Sequence, residues 1–185
     1  MGTHTPCGTA QNSEKRAPGI MWYSTSSHGG FHLSDRRNAQ VPDYMRRDGG
    51  WYEEDSDWSI VATVFPVLFT VPERARAEET LRNWLPDEYE RFTGKTIQPG
   101  QSYIRDERLF AEAHRNDYLV LSAWGDRHES VPPGMVGLFV GRGGRLPSGH
   151  YPADCKYFLV PAGEYRQPDR FVVDPARHAE IAPIH

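Results

Sequence analysis

His28 stands against two glycines in Ser26-Ser27-His28-Gly29-Gly30, and three consecutive acids follow in Gly50-Trp51-Tyr52-Glu53-Glu54-Asp55. An imidazole and a carboxylate are the parts of a general acid–base pair or of a metal site. Paired glycines beside the histidine leave bare backbone, where a ligand or another chain can come close. His28 and Glu54 are therefore the candidate catalytic residues. Ser26, His28, Gly29, Gly30, Arg36, Glu53, Glu54 and Asp55 are the candidate binding residues, with Arg16 or Arg36 available to hold a phosphate. A metal would need His28 and His32 together with a carboxylate, Glu54 or else Glu53 or Asp55. Residues four apart on an extended strand lie about 13 Å from each other, so only a tight turn at the glycines unites the two histidines. No metal or other cofactor is expected.

Each of these residues also has a plain structural use. Acids in the first turn of a helix stabilise it, which accounts for Glu53 and Asp55. Glu54 shares a stripe with Trp58 and Val61 and needs a partner there, an arginine or His28. The hydroxyls of Ser24, Thr25, Ser26 and Ser27 adjoin His28, but neighbours on one strand seldom form a nucleophile–base pair, and no nucleophile-elbow pattern is present. Walker, Rossmann, zinc-finger and His-Glu-x-x-His patterns are also missing. Trp22-Tyr23-Ser24-Thr25-Ser26 resembles the middle motif of Arg-Ser-Glu ADP-ribosyltransferases. Glu88-Tyr89-Glu90 has the letters of their acidic turn but reads as helix, and the upstream arginine would have to be Arg16, very close by.

Elements that position these residues follow from periodicity and turn chemistry. Ile20 to Thr25 reads as a strand, with Phe31 to Leu33 as its hairpin partner and Ser26 to Gly30 as the turn. Ser34 is placed to cap a short helix over 35–40. Trp51, Glu54, Trp58, Val61, Phe65 and Leu68 fall on one helical face and predict a helix over 53–64, ended by Pro66. Thr70-Val71-Pro72-Glu73 matches a capping box for a helix reaching Trp84. Helices over 86–92 and 102–114 follow. After Asp117, strands are expected at 118–124, 135–140, 156–160 and 171–173. The fold class is α+β: an N-terminal β-hairpin, central helices, and a C-terminal, mainly antiparallel sheet. Residues 1–15 read as a flexible tail and 16–185 as a single domain.

Composition narrows the function classes. The 185 residues carry a formal net charge of −4, with five Trp, nine Tyr and eight Phe. Mild acidity gives no whole-protein case for nucleic-acid binding. From Lys15 to Arg47, six basic residues stand against two acidic ones. The next ten residues carry Asp48, Glu53, Glu54, Asp55 and Asp57, so the two patches either face each other or face water. Cys7 and Cys155 make no disulfide framework. No apolar run spans a membrane and no signal-peptide pattern opens the chain, so a reduced, cytoplasmic protein is expected.

Four blocks resemble a bacterial family of unknown function found among plasmid, prophage and other mobile-element accessory genes. They are Ala17-Pro18-Gly19 through Ser26-Ser27-His28-Gly29-Gly30-Phe31-His32-Leu33-Ser34; Gly50-Trp51-Tyr52-Glu53-Glu54-Asp55 with Trp58; Asp117-Tyr118 with Ser122-Ala123-Trp124-Gly125-Asp126; and Pro132-Pro133-Gly134-Met135-Val136-Gly137. The resemblance covers residues 5 to 142 and leaves 145–185 unplaced. Where this chain has Cys7 and Ser56, the family more often has Trp and often has Cys. The resemblance brings no catalytic residues. It implies an inhibitor of host defence or an adaptor. The leading expectation is a non-catalytic interaction protein that binds a host- or element-encoded protein. The alternative is a small enzyme or nucleotide-binding protein, a metal-assisted hydrolase or an ADP-ribosyltransferase, taking a small-molecule ligand at the His28-Gly29-Gly30 turn with Glu53, Glu54 and Asp55.

Overall fold

The computed structural model describes residues 4–166 and 168–184; the first three residues of the expected tail, Gln167 and His185 lie outside it. The fold is α+β, with an N-terminal sheet, central helices and a C-terminal antiparallel sheet. The chain divides into two compact units. The first reaches Asp106 and the second begins at Glu107.

In the first unit, β1 (His4–Thr5) and β2 (Gly8–Thr9) form a small antiparallel ribbon. β3 (Asn12–Ala17), β4 (Ile20–Ser24), β5 (Gly29–Leu33) and β6 (Trp51–Glu53) form an antiparallel sheet in that order. Residues 4–15, expected as a tail, thus supply β1, β2 and most of β3. Among the described residues, α1 (Asp35–Asn38) lies between β5 and β6, and α2 (Trp58–Val64), α3 (Val71–Trp84), α4 (Pro86–Thr93) and α5 (Tyr103–Ala113) follow the sheet. The unit boundary falls within α5.

Pairing register sorts the sheet into two faces. Ile20 opposes Leu33, Trp22 opposes Phe31, and Phe31 opposes Tyr52. These side chains meet Ile60 and Val61 of α2, Leu81 of α3 and Tyr89 of α4 in one core. The other face carries Met21, Tyr23, Gly30, His32, Trp51 and Glu53. The capping box is present: Thr70 Oγ1 accepts from the Glu73 N–H, and the Thr70 N–H donates to the Glu73 carboxylate at 2.7 Å. Pro66 follows the end of α2, as expected of a residue that cannot continue a helix.

The predicted helix over 53–64 is the main correction. Helix begins only at Trp58, and Trp51–Glu53 is a strand paired with β5. The cause is Glu53 itself. Its carboxylate accepts the backbone N–H groups of Asp55, Ser56 and Asp57 and the Ser56 hydroxyl. A side chain that takes those N–H groups holds 54–57 as a turn and starts the helix after it. Ser34 precedes α1 but makes no side-chain capping bond, and α1 ends at Asn38.

The second unit is a five-stranded antiparallel sheet of β7 (Tyr118–Trp124), β8 (Met135–Arg142), β9 (Cys155–Pro161), β10 (Val172–Val173) and β11 (Ala179–Ile181), in the order β10-β7-β8-β9-β11. Tyr118, Leu138, Val140, Phe158 and Val160 build its core from alternate positions. On the opposite face Phe139 packs against Tyr157 and Tyr151. Among the described residues, no helix is long and apolar enough to cross a membrane.

Candidate functional site

The glycine pair on β5 is explained by the chain's own packing. A Cβ on Gly29 would lie 2.6 Å from the Trp22 ring and 2.7 Å from Glu54 Oε2. A Cβ on Gly30 would lie 2.8 Å from the Tyr52 backbone carbonyl. The close approach expected at these glycines is therefore made by Trp22, Glu54 and β6.

His28 closes the turn between β4 and β5. Thr25 shapes that turn: its N–H and hydroxyl both donate to the His28 carbonyl, and its hydroxyl accepts the His28 N–H at 3.1 Å. Ser26 is exposed at the tip. His28 Nδ1 lies 3.7 Å from Glu54 Oε1, with the two side chains 57% and 36% exposed. The structure thus brings His28 and Glu54 together at the open end of the sheet, as an ion-pair approach longer than a hydrogen bond.

The remaining candidates separate. Glu53 is fully engaged in the turn before α2. Burial pushes its carboxyl up, but its four hydrogen bonds outweigh this and hold it below the usual glutamate range. Asp55 is exposed. Arg36 lies beyond the far end of β5, beside Arg37, Ser34 and Gly19. His32 stacks on Trp51 with ring centroids 4.5 Å apart. Among the described residues, no three His, Cys, Asp or Glu side chains converge as metal ligands. Glu88, Tyr89 and Glu90 sit within α4, where Glu90 accepts from Arg105 at 2.6 Å and from the Ile97 N–H at 2.8 Å. Cys155 donates to the Pro152 carbonyl, and burial raises its thiol pKa.

Two concavities flank the His28–Glu54 pair, one associated with each residue. A cleft of about 170 Å³ is lined by Tyr23, Gly30, Trp51 and His28, with Cys7 at its rim. Tyr52 and Asp57, which also line it, are engaged in internal bonds. The Tyr52 hydroxyl donates to Asn38 Oδ1 at 2.6 Å and accepts the Arg47 N–H, while Arg47 pairs with Asp57 at 2.8 Å. Burial raises the Tyr52 pKa against the lowering influence of Arg47. The Arg47–Asp57 pair is one point where the basic and acidic stretches of the sequence face each other.

The second concavity is a wider groove of about 420 Å³ on the core side of the sheet, lined by Trp22, Phe31, Trp58 and Phe69, with Glu54, Glu73, Arg16 and Arg76 around them. The rings form a continuous set: Trp22 to Phe31 at 4.7 Å and Phe31 to Phe69 at 5.7 Å, both edge-to-face, and Phe69 to Trp58 at 6.4 Å, tilted. Arg16 lies over Phe69 and Arg76 over Trp58. On either side of Phe69 in the sequence, Val67, between α2 and α3, is 91% exposed and Val71, the first residue of α3, is 68% exposed. Phe69 and Arg76 escaped the sequence reading. Neither lies in a periodic pattern that points at β4, and only the folded sheet brings them to Trp22.

No curated protein and no solved structure matches the chain. Residues 1–115 match the family model described as a domain of unknown function, DUF7007. The blocks at 117–126 and 132–137 lie beyond the matched residues. With well over half its length matched, the chain belongs to the DUF7007 family.

Proposed function

We propose that this chain is a non-catalytic interaction protein, carried by a mobile element, that acts in the cytoplasm by binding a host- or element-encoded protein, with counter-defence as its role. The observation that carries this reading is the aromatic groove of the first unit. Four packed rings line an open depression bordered by both charge signs, and two exposed valines, Val67 and Val71, flank Phe69 in the sequence. Aromatic and arginine side chains are enriched in the cores of protein interfaces, and apolar residues on a surface beside them mark contact areas. Of the acids lining this groove, Glu73 serves folding as the partner of Thr70 in the capping box of α3.

The test is affinity capture from the native host with the wild-type chain, with Trp58→Ser and Phe69→Ser in the groove, and with Leu109→Ser, an exposed position in the second unit. A stoichiometric protein partner is expected with wild type and Leu109→Ser and is lost with the groove variants. Absence of a partner above background, or a partner that survives both groove variants, overturns the reading.

One observation favours a second reading, a small enzyme or nucleotide-binding protein. His28 and Glu54 do converge, at 3.7 Å and open to solvent, and such a pair is the minimum for acid–base work. Full biological effect in both His28→Ala and Glu54→Gln would exclude it. Loss of a measured activity in His28→Ala with the fold intact would favour it over binding.

A further inference from the structure

We infer that the groove holds a seat for a guanidinium, filled by an arginine side chain of the protein partner and formed by the Trp22 ring and the Glu54 carboxylate. The inference rests on the interaction reading above and names the chemistry of the contact.

Three observations carry it. First, two other rings of the groove already hold guanidinium groups of the chain itself: Arg16 lies 5.8 Å from the Phe69 centroid and Arg76 lies 5.9 Å from the Trp58 centroid. Indole is the best cation–π acceptor among the side chains, yet among the described residues no cation lies over Trp22. Second, Trp22 and Glu54 line the same groove and are neighbours beside Gly29. A ring and a carboxylate lining one groove offer a planar cation a face to stack on and an acceptor for its N–H groups. The nearest cationic candidate, His28, approaches Glu54 only to 3.7 Å. Third, one carboxylate of the groove is left open to a donor. Around Arg16 and Arg76 stand Glu54, Glu73 and Glu14, the last 3.7 Å from Arg16. The carboxylate of Glu73 is held by the Thr70 N–H and hydroxyl. Among the described residues, no hydrogen bond is made to the Glu54 carboxylate.

The experiment is an NMR titration of the full chain with N-acetylarginine amide and with its uncharged isostere, N-acetylcitrulline amide. The Trp22 indole N–H signal is assigned by its loss in Trp22→Phe. The arginine probe is expected to shift that signal saturably and the citrulline probe to leave it in place. Glu54→Gln, a half-exposed position whose change spares the core, is expected to weaken arginine binding about tenfold. Equal shifts by the two probes, or unchanged binding in Glu54→Gln, overturns the inference. A shift confined to Trp51 moves the cation to the other face and also overturns it. So does a Trp22 shift produced by concentrating the protein alone, which makes a second copy the occupant, or by guanosine monophosphate, which makes it a nucleotide. Failure of the interaction reading is separately visible. A partner captured by Glu54→Gln but lost in Trp58→Ser keeps the groove and removes the seat, whereas no captured partner removes both.

Discussion

Replacing Glu53 by glutamine tests the claim that this residue builds a turn. Its Oε1 accepts the Ser56 N–H at 2.7 Å, the Ser56 hydroxyl at 2.7 Å and the Asp57 N–H at 2.8 Å, while Oε2 accepts the Asp55 N–H. Glutamine keeps one carbonyl oxygen for the first three donors. Its amide NH₂ then faces the Asp55 N–H, donor against donor. The variant thus loses one bond outright and the charge assistance of the others, a cost of about 2 kcal/mol. The pH dependence follows from the lowered carboxyl. The unfolded chain binds the proton at higher pH than the native chain does. The stabilisation is therefore complete above the ordinary glutamate range and is lost as pH falls through the native pKa. Urea unfolding followed by tryptophan fluorescence is the assay, because Trp22, Trp51, Trp58 and Trp84 all lie in the first unit. Wild type and Glu53→Gln should differ by about 2 kcal/mol at neutral pH, and the gap should narrow steadily below about pH 4.5. A gap that is absent at neutral pH, or equally wide in acid, refutes the reasoning.

Gly30→Ala forces a Cβ to 2.8 Å from the Tyr52 carbonyl and should destabilise the first unit by about 1–3 kcal/mol in the same unfolding assay. Tyr52→Phe removes the donor to Asn38 and the acceptor of the Arg47 N–H, and should cost about 1–2 kcal/mol. His28→Ala and Glu54→Gln break only an exposed approach at 3.7 Å; each should change stability by under about 0.5 kcal/mol, so any effect they have on function reports on function. Cys7 is exposed, whereas Cys155 donates to a carbonyl and its thiol pKa is raised by burial. A thiol reagent at neutral pH should label Cys7 at least several times faster than Cys155, as peptide mapping would show.

Local chemistry was the most legible part of the sequence. The Thr70–Glu73 capping box, Pro66 after α2 and the β4–β5 hairpin all act within a few residues of themselves, although Gly29 and Gly30, expected in the turn, belong to β5 and the turn is closed by Thr25 and His28. The stripe Trp58, Val61 and Phe65 also predicted what it buries. The same stripe misled one turn earlier. Trp51 and Glu54 continue its spacing, but the Glu53 carboxylate competes for the backbone and Trp51 pairs across to His32. Periodicity does not register such a competition. β3 was missed because its polar residues, Asn12 to Arg16, look like a tail, and an edge strand with largely exposed side chains needs no apolar alternation. At the candidate site, His28 and Glu54 were singled out and do meet. Arg36 was joined to them by charge alone, and the strand places it at the other end. The groove was invisible because its rings come from β4, β5, α2 and the segment before α3, which only long-range packing unites.

The most direct measurement is the intact mass of the protein purified from its native host under non-denaturing conditions. The chain is expected to travel with a stoichiometric polypeptide that wild type retains and Trp58→Ser releases, and with no bound small molecule. A stoichiometric metal, nucleotide or other small ligand, with no polypeptide, would contradict the interaction reading and turn attention to His28 and Glu54 as an active site.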